Sequence, residues 1–407
     1  MLPNGWELRV VGDLFEVQLG KMLNNAAKEK SPQYPYLGNS NVRWGCFDLT
    51  DLKTMHFSDR DIEKFELRNG DVIMCEGGEV GRCAIWNGEA QEIYYQKALH
   101  RLRSKGEIKP EYFQSYMEFI NGSKLLDDFT TRTSIAHLTR EKLLELPVKV
   151  PPAGEQGKIA KILSTWDKFI ATTEFLSANS QQQKKALTQQ LLTGKKRFTG
   201  FENKWKEVAL SDLCQRVITR NNGQSTNVVT ISAQHGLIRQ EEFFNKSVAS
   251  ATLDNYYLLK KGQFAYNKSY SNGYPMGAIK RLNRYENGVV TSLYICFEVL
   301  EDADIDVDFL EHFFDSGLLN RGLTRVAAEG GRAHGLLNVK PADFMSLKLT
   351  VPGMDEQRAI ARALTVAQSE VDNLEQKLAH LKQEKQALMK QLLTGKRRVK
   401  VDDKEVA

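Results

Sequence analysis

Residues 186–197 read ALTQQLLTGKKR, and residues 387–398 read ALMKQLLTGKRR. The two segments are offset by 201 residues in a chain of 407. At that offset, residues 146–198 match residues 347–399 at 21 of 53 positions. A match of this length indicates an internal duplication, and duplication usually gives a protein internal symmetry. The chain is therefore interpreted as two related halves.

Each matched segment predicts one long helix. Pro151 and Pro352 lie just before the two helices, because proline is excluded from helix interiors and favours extended structure in the residue before it. In the second copy, Asp355 is the predicted N-cap. Gly194 and Gly395 suit the left-handed position that closes a helix. Both helices are expected to end at the LLTG sequences.

The second helix carries a heptad pattern. Its apolar residues alternate in spacing between four and three, interrupted by Lys385: Ile360, Leu364, Ala367, Val371, Leu374, Leu378, Leu381, Leu388 and Leu392. Heptads sustained over this length favour a coiled coil. The first copy has the same seam with a polar middle: Thr173, Ser177, Ser180 and Lys184. The natural partner for so uneven a seam is the other helix, although two separate surface helices remain the alternative.

The remaining part of each half predicts a globular α/β (α+β) domain. LRNGDVIM at 67–74 and LKKGQFAY at 259–266 both indicate a turn followed by a strand. PEYFQSYMEFI at 110–120 and DFLEHFFDSGL at 308–318 both indicate an amphipathic helix. The predicted organisation is a globular domain over 1–150, a long helix over 151–198, a second domain over 199–351, a second long helix over 352–399 and a tail over 400–407.

Composition narrows the class of protein. The chain is 41% hydrophobic and 26% charged, which is typical of a soluble globular protein. It has no apolar run near the ~18 residues of a membrane span, and MLPNGWELRV lacks the pattern of a signal peptide. Five cysteines without a CxxC pair favour reduced thiols and a cytoplasmic location. The net charge of +5 is compatible with nucleic-acid binding but does not demonstrate it.

Motifs for catalysis are missing from the sequence. There is no GxxxxGK[ST] phosphate loop, no HExxH and no EF-hand loop, and the histidines lack metal-ligand spacing. GGEVG at 77–81 has the wrong spacing for a dinucleotide site and predicts a strand-to-strand turn. Pro151-Pro152 is followed by alanine, so the segment that holds the target amine in amino-methyltransferases is absent. We therefore expect a binding or assembly protein with no catalytic, cofactor-binding or metal-binding residues.

The chain resembles the specificity subunit of type I restriction–modification enzymes. The resemblance rests on VPPAGEQGKIAKIL at 150–163, VPGMDEQRAIARAL at 351–364, the two LLTGK helix ends and TSLY at 291–294. It implies two target recognition domains, pseudo-twofold repeated and separated by two long helices that form an antiparallel coiled coil. Each domain would read one half of an asymmetric bipartite DNA target.

The resemblance also implies a spacer and partners. Each helix of about 37 residues spans roughly 55 Å, or on the order of 16 base pairs, so the helices would act as a ruler between the half-sites. Expected partners are double-stranded DNA, two methyltransferase (modification) subunits and two restriction/translocase subunits, with no membrane. S-adenosylmethionine, ATP and Mg would belong to the partner subunits, and this chain would catalyse nothing.

Other functions stay open at this point. The chain could be a coiled-coil scaffold that binds proteins and not DNA, or it could guide a methyltransferase that lacks a restriction partner. A self-contained methyltransferase is disfavoured by the missing motif. Sequence-dependent DNA affinity would distinguish a DNA specificity subunit from a protein-binding scaffold.

Candidate base readers are polar residues in the loops that differ between the halves. Arg and Lys suit guanine, whereas Asn and Gln suit adenine. Any one of them could instead satisfy its own turn, since Asn, Ser and Gly dominate turns. The candidates are Asn39, Ser40, Asn41, Arg43, Gln96, Lys97, Arg132 and Ser134 in the first domain, and Gln234, His235, Asn267, Lys268, Tyr270, Asn272, Arg332 and His334 in the second.

Overall fold

The computed structural model describes residues 2–132, 136–232, 235–244, 253–270, 273–327 and 337–401. Its contacts divide the chain into two compact units. The first unit is Met1–Phe175 with Gln376–Ala407, and the second is Leu176–Glu375. Each unit therefore contains one globular domain and part of each long helix.

Short strands and helices alternate in the first domain. Its strands are β1 (Glu7–Val10), β2 (Phe15–Leu19), β3 (Gln33–Leu37), β4 (Val42–Arg43), β5 (Cys46–Phe47), β6 (Lys53–His56), β7 (Val72–Cys75), β8 (Cys83–Ile85), β9 (Tyr94–Tyr95), β10 (Leu99–Ser104), β11 (Thr131–Arg132), β12 (Ala136–His137) and β13 (Pro147–Val150). Its helices are α1 (Val11–Leu14), α2 (Asn25–Glu29), α3 (Asp59–Phe65), α4 (Pro110–Ile120), α5 (Lys124–Asp128) and α6 (Arg140–Glu145).

The first domain is built around an antiparallel sheet of order β2-β10-β7-β8. A second sheet, β6-β3-β9, pairs β3 with β9 in parallel. The ends of the domain are closed by β1 against β13, with Glu7 opposite Val150. The turn predicted for GGEVG is confirmed, because residues 77–81 lie in the connection between β7 and β8.

The second domain repeats much of this order. Its strands are β14 (Lys206–Ala209), β15 (Cys214–Arg216), β16 (Val229–Ser232), β17 (Gly236–Arg239), β18 (Tyr257–Lys260), β19 (Phe264–Asn267), β20 (Ala278–Arg281), β21 (Asn287–Val290), β22 (Ile295–Val299) and β23 (Lys348–Val351). Its helices are α8 (Leu210–Leu213), α9 (Gln240–Phe244), α10 (Val307–Asp315), α11 (Asn320–Val326) and α12 (Pro341–Met345).

The central sheet of the second domain has the antiparallel order β15-β22-β19-β20. Its closing pair is β14 against β23, with Lys206 opposite Val351. Position by position along the chain, these are the counterparts of β2-β10-β7-β8 and β1-β13. The two domains therefore share a frame, as the sequence predicts, while the smaller sheets differ: β16 pairs with β17, and β18 with β21.

The long helices are α7 (Ala153–Leu191) and α13 (Met354–Leu392), each of 39 residues. Gly194 and Gly395 have φ of 68° and 70°, so both occupy the predicted left-handed closing position. The N-cap prediction for Asp355 is wrong: the helix begins at Met354, and Asp355 lies in its first turn beside the positive end of the helix dipole.

Each unit packs the start of one long helix against the end of the other. In the first unit, Ile159 and Leu163 of α7 share a buried core with Leu392 and Leu393, which come from the end of α13 and the residue after it. In the second unit, Leu191 of α7 shares a core with Ile360 and Leu364 of α13 in the same way. Burial of these apolar side chains stabilises each domain with helical segments from both repeats.

The helix-start signature Glu-Gln has a separate role for each residue. Gln156 accepts from Lys109 N at 2.8 Å and donates to Glu107 O at 3.2 Å, so it holds the start of α4 against α7. Glu155 is buried and pairs with Arg398 beyond the end of α13.

The second unit repeats this arrangement. Gln357 accepts from Asp306 N at 2.7 Å and donates to Asp304 O at 3.2 Å. Glu356 is 2% exposed and accepts two hydrogen bonds from Arg197, at 2.8 and 2.7 Å. We call Glu155–Arg398 and Glu356–Arg197 the helix clamps.

None of the described helices is long and apolar enough to cross a membrane.

Candidate nucleic-acid interface

Three of the candidate loops of the first domain meet at one place. Asn39 begins a 3-10 turn over Asn39–Asn41, and its Nδ2 donates to Gly77 O at 2.8 Å. Gly77 forms an isolated β-bridge with His137, at the end of the β11–β12 hairpin. A Cβ built on Gly38 would lie 3.1 Å from the Gln96 Nε2, so the Gln96 side chain packs against the start of the turn. The structure therefore brings together loops that are far apart in sequence.

Within this group, two asparagines are already engaged. Asn41 is 6% exposed; its Oδ1 accepts from Gly38 N at 2.9 Å and its Nδ2 donates to Asp48 O at 2.9 Å and Asp51 O at 3.1 Å. Asn39 uses both ends of its amide, since its Oδ1 accepts from Arg82 Nη2 at 3.1 Å. Both side chains shape the loop, and neither can bind a base bidentately without losing these bonds.

Other candidates in the first domain are accessible. Ser40, Arg43 and Lys97 are exposed, and Gln96 is half-buried. Arg43 lies 3.7 Å from the Asp48 carboxylate in an exposed pair, which leaves the guanidinium free to exchange partners with DNA phosphates or bases. A hydrogen bond from the Thr50 hydroxyl is the main cause that lowers the pKa of Asp48. Arg132 ends β11, while Ser134 lies outside the described residues.

The candidates of the second domain are less completely described. His235 is exposed and lies in the turn between β16 and β17, with its backbone N donating to Ser232 Oγ at 3.2 Å. Asn267 accepts from Ser269 N at 3.0 Å, as an Asx turn does. Lys268 O accepts from Leu337 N at 3.0 Å, and Tyr270 is 60% exposed. Gln234, Asn272, Arg332 and His334 lie outside the described residues.

A cleft of about 870 Å³ lies beside His235 in the second unit. Its lining includes Lys280, Arg281 and Arg284, which the sequence analysis did not select. Lys280 donates to Asp315 Oδ1 at 2.7 Å; burial acts to lower its pKa, but the Asp315 carboxylate and Tyr274 raise it overall. The cleft thus keeps a charged amine below the β16–β17 turn.

Two charged residues of the first domain were not predicted from the sequence. Arg82 and Glu79 flank Val80 and Gly81, and they pair at 3.1 Å. Arg82 also binds Asn39, while Glu79 accepts from Trp44 Nε1 at 2.6 Å. The usable signal was their spacing, since Glu79 in the middle of the GGEVG turn and Arg82 directly after it are three residues apart and carry opposite charges. Among the described residues, no cluster of three or more His, Cys, Asp or Glu could hold a metal ion.

Comparison with known proteins adds to this geometry. Residues 3–179 match the type I restriction modification DNA specificity domain. The matched segment, which covers the first domain and the first part of α7, resembles the type I restriction modification DNA specificity family. A relative from this family is the type I restriction enzyme MjaVIII specificity subunit of Methanocaldococcus jannaschii, 22% identical over 98% of this chain and 94% of the relative.

Solved structures from type I systems share the fold. The type I restriction–modification system S subunit from M. genitalium has a TM-score of 0.60 at 16% identity, covering 96% of this chain and 97% of that chain. A chain from a structure of complex assembly and conformational transition in the type I R-M system has a TM-score of 0.52 at 16% identity, covering 98% of this chain and 100% of that chain. These likenesses confirm the mixed helix and sheet architecture of a two-domain specificity subunit.

These similarities support the role of a DNA target specificity subunit. Specificity subunits of type I systems are non-catalytic. This outcome confirms the resemblance seen in the sequence and disfavours a self-contained methyltransferase.

Proposed function

We propose that each domain of this specificity subunit reads one half of an asymmetric bipartite DNA target. The observation that carries the proposal is the pairing of a shared frame with different loops. Both domains have a four-stranded antiparallel sheet in corresponding order, yet the polar groups at the loops differ: Ser40, Arg43 and Lys97 in one, His235 and Tyr270 in the other. One frame that carries two sets of hydrogen-bonding groups suits two half-sites of different sequence.

The long helices would form an antiparallel coiled coil that sets the spacer between the half-sites. Within the first unit, Glu174 of α7 pairs with Lys382 of α13, and Asp167 pairs with Lys385. Positions that rise along α13 meet positions that fall along α7, which supports antiparallel pairing. A helix of 39 residues spans about 58 Å, which corresponds to roughly 17 base pairs.

The helices would also dock two methyltransferase subunits, and two restriction/translocase subunits would join them. Exposed apolar side chains on α7 support a protein partner there: Phe169 is 57%, Phe175 65% and Leu176 48% exposed. Exposed large apolar groups of this kind are typical of protein contact surfaces. S-adenosylmethionine, ATP and Mg would be bound by the partners.

Among the candidate readers, the accessible ones remain the proposal: Ser40, Arg43, Gln96 and Lys97 in the first domain, with His235, Lys268 and Tyr270 in the second. Arg132, Ser134, Gln234, Asn272, Arg332 and His334 stay predictions. Asn39, Asn41 and Asn267 are assigned to loop shape, because their side chains are used within the loops.

The proposal is tested by co-expressing this chain with the methyltransferase subunit from its own system in a host free of DNA methylation. Modified adenines are then mapped across the genome, with the methyltransferase alone as the control. Methylation confined to a two-part motif with a fixed unread spacer, and only when this chain is present, is the expected result. A soluble complex that gives no chain-dependent methylation would overturn the proposal and favour a protein scaffold.

A further inference from the structure

The connection between β7 and β8 carries a charged network that joins several loops of the first domain. Arg82 Nη2 donates to Asn39 O at 3.0 Å and to Asn39 Oδ1 at 3.1 Å, and Arg82 Nη1 donates to Glu79 Oε2 at 3.1 Å. The other carboxylate oxygen of Glu79 accepts from Trp44 Nε1 at 2.6 Å and from Asn121 Nδ2 at 3.2 Å. We call Arg82 and Glu79 the loop hub.

The loop hub reaches segments that are distant in sequence. Asn39 and Trp44 flank the exposed candidates Ser40 and Arg43, so both ends of that loop are attached to the hub. Asn39 continues the connection through Gly77 to the β11–β12 hairpin. One guanidinium and one carboxylate thus fix the relative positions of the surfaces that carry the candidate readers.

The geometry of Arg82 requires an arginine. Its side chain is 16% exposed, and it binds a backbone carbonyl, a side-chain amide and a carboxylate at once. A guanidinium presents five donors in a fixed fork, whereas a lysine ammonium is a single point charge. Lysine would keep the charge at this position but could not hold all three acceptors in this arrangement.

Among the described residues, the second domain has no arginine at the place that corresponds to Arg82. At the matching place in its central sheet, β19 and β20 end with Asn267 opposite Ala278, and Ala278 is 3% exposed. In the first domain the same corner carries Cys75 and Arg82, whose backbone groups are bonded at 2.8 Å. The side chain of Ala278 has no hydrogen-bond donor, so it cannot replace the guanidinium bonds of Arg82 at this corner.

We propose that Arg82, held by Glu79, is a positioning residue that determines the base specificity of the first domain. It acts through the Asn39–Arg43 loop and does not itself touch DNA. The inference rests on the proposed two-domain reading of a bipartite target. Because the described part of the second domain has no such hub at the matching corner, loss of the hub should change one half of the target and leave the other half as an internal control.

The test compares methylated motifs of the complete chain, complexed with its methyltransferase, for wild type, Arg82→Lys and Glu79→Gln. The matched control is Arg68→Gln, because Arg68 is exposed in the same domain and pairs only locally with Glu66 at 2.9 Å. Complex formation is measured first by co-purification. We expect Arg82→Lys to lose roughly tenfold in discrimination at one or two base positions, all in the same half-site.

The outcomes separate positioning from general stability. Relaxation confined to one half-site in both hub variants, with the Arg68→Gln motif unchanged, supports the inference. An unchanged motif, relaxation in both halves, or weaker methylation of an unchanged motif would each overturn it. If Arg82→Lys fails to co-purify, Glu79→Gln alone decides by the same criteria. A wild-type chain that yields no two-part motif refutes the proposed function instead.

Discussion

Two lysines at matching positions of the repeat, Lys385 in the first unit and Lys184 in the second, have different partners. Lys385 is 6% exposed and pairs with Asp167 on α7 at 2.5 Å and with Glu118 on α4 at 2.6 Å. Burial acts to lower the pKa of Lys385, but the hydrogen bonds that it donates to these carboxylates raise the pKa overall.

At the matching place of the second unit, Lys184 donates to Gln368, which stands where the first unit has Asp167. The carboxylate that corresponds to Glu118 is Asp315, and it is bonded to Lys280. Burial therefore lowers the pKa of Lys184. A lysine thus stands at the matching position of both long helices, but its hydrogen-bond partners are two carboxylates in the first unit and an amide in the second.

The helix clamps are common to both units and should give the largest effects. Arg197→Met would leave Glu356 buried without a partner, so we expect the second unit to lose about 3 kcal/mol of stability. Arg398→Met should cost the first unit less, about 2 kcal/mol, since the Arg398 side chain is 42% exposed against 24% for Arg197. Hydrogen exchange read separately for each domain measures both losses.

The control for the clamp is the double variant Arg197→Met with Glu356→Leu, which removes both charges. It should recover most of the lost protection, because an apolar pair carries no unpaired buried charge. A loss shared equally by the two domains after Arg197→Met would contradict the assignment of this clamp to the second unit.

The two lysines should respond in opposite directions to the same substitution. Lys385→Met leaves Glu118 and Asp167 without their cation, and because both are partly exposed we expect a loss of about 1–2 kcal/mol in the first unit. Lys184→Met removes a partly desolvated amine whose hydrogen-bond partner is the neutral Gln368, so it should be neutral or slightly stabilising. Exchange protection of the helix segments in each unit checks both, and equal destabilisation by the two variants would refute the comparison.

A single substitution should make the second unit resemble the first. Gln368→Asp supplies the carboxylate that Lys385 already has in Asp167, so it should stabilise the second unit by roughly 0.5–1 kcal/mol and raise the pKa of Lys184. The shift can be followed by NMR titration of the lysine side-chain resonances. The paired control is Asp167→Gln, which should destabilise the first unit. If neither variant changes stability, the charges at these positions do not contribute to it.

The smallest expected effect concerns pH. Burial lowers the pKa of His312, whose ring nitrogen lies 2.9 Å from Thr365 Oγ1, below its ordinary value of about 6.5. The unfolded chain then binds a proton more readily than the folded one, so stability is full above about pH 6.5 and falls as the pH drops toward the folded pKa.

His312→Gln should reduce the loss of stability of the second unit at low pH by at most about 1 kcal/mol. Denaturation followed at pH 7.5 and pH 5.5 measures the difference. His100 in the first unit has a pKa lowered by burial as well, so the first unit should keep its own fall in the His312 variant.

Sequence alone predicted the frame of the molecule. Hydrophobic periodicity and the positions of glycine and proline are local properties of a sequence. They were enough to predict the long helices closed by Gly194 and Gly395, the amphipathic helix over 110–120 and the β7–β8 turn. The segment VVTSLYICFEV at 289–299 shows where locality fails: its composition favours a strand throughout, yet β21 ends at Val290 and β22 begins at Ile295.

The candidate site was less predictable, because residue type alone does not reveal which partner a side chain finds. Asn41 has the side chain of a base reader, but it is buried, and its amide donates to the backbone oxygens of Asp48 and Asp51. Arg82 and Asn39 are 43 residues apart, so no spacing rule could have joined them. Lys385 interrupted the heptad pattern without revealing that two carboxylates surround it.

The clamp between Glu155 and Arg398 has a consequence for synthesis. These residues are 243 positions apart, and the second unit is translated between the two parts of the first. At a translation rate of about 5–20 residues per second, Arg398 is synthesised roughly 12–50 s after Glu155. The first domain is thus synthesised first but completed last. Its core around Leu163 cannot be fully packed until Leu392 and Leu393 have been synthesised. A nascent chain stalled after residue 375 would expose apolar surface on the first domain, where a chaperone would bind.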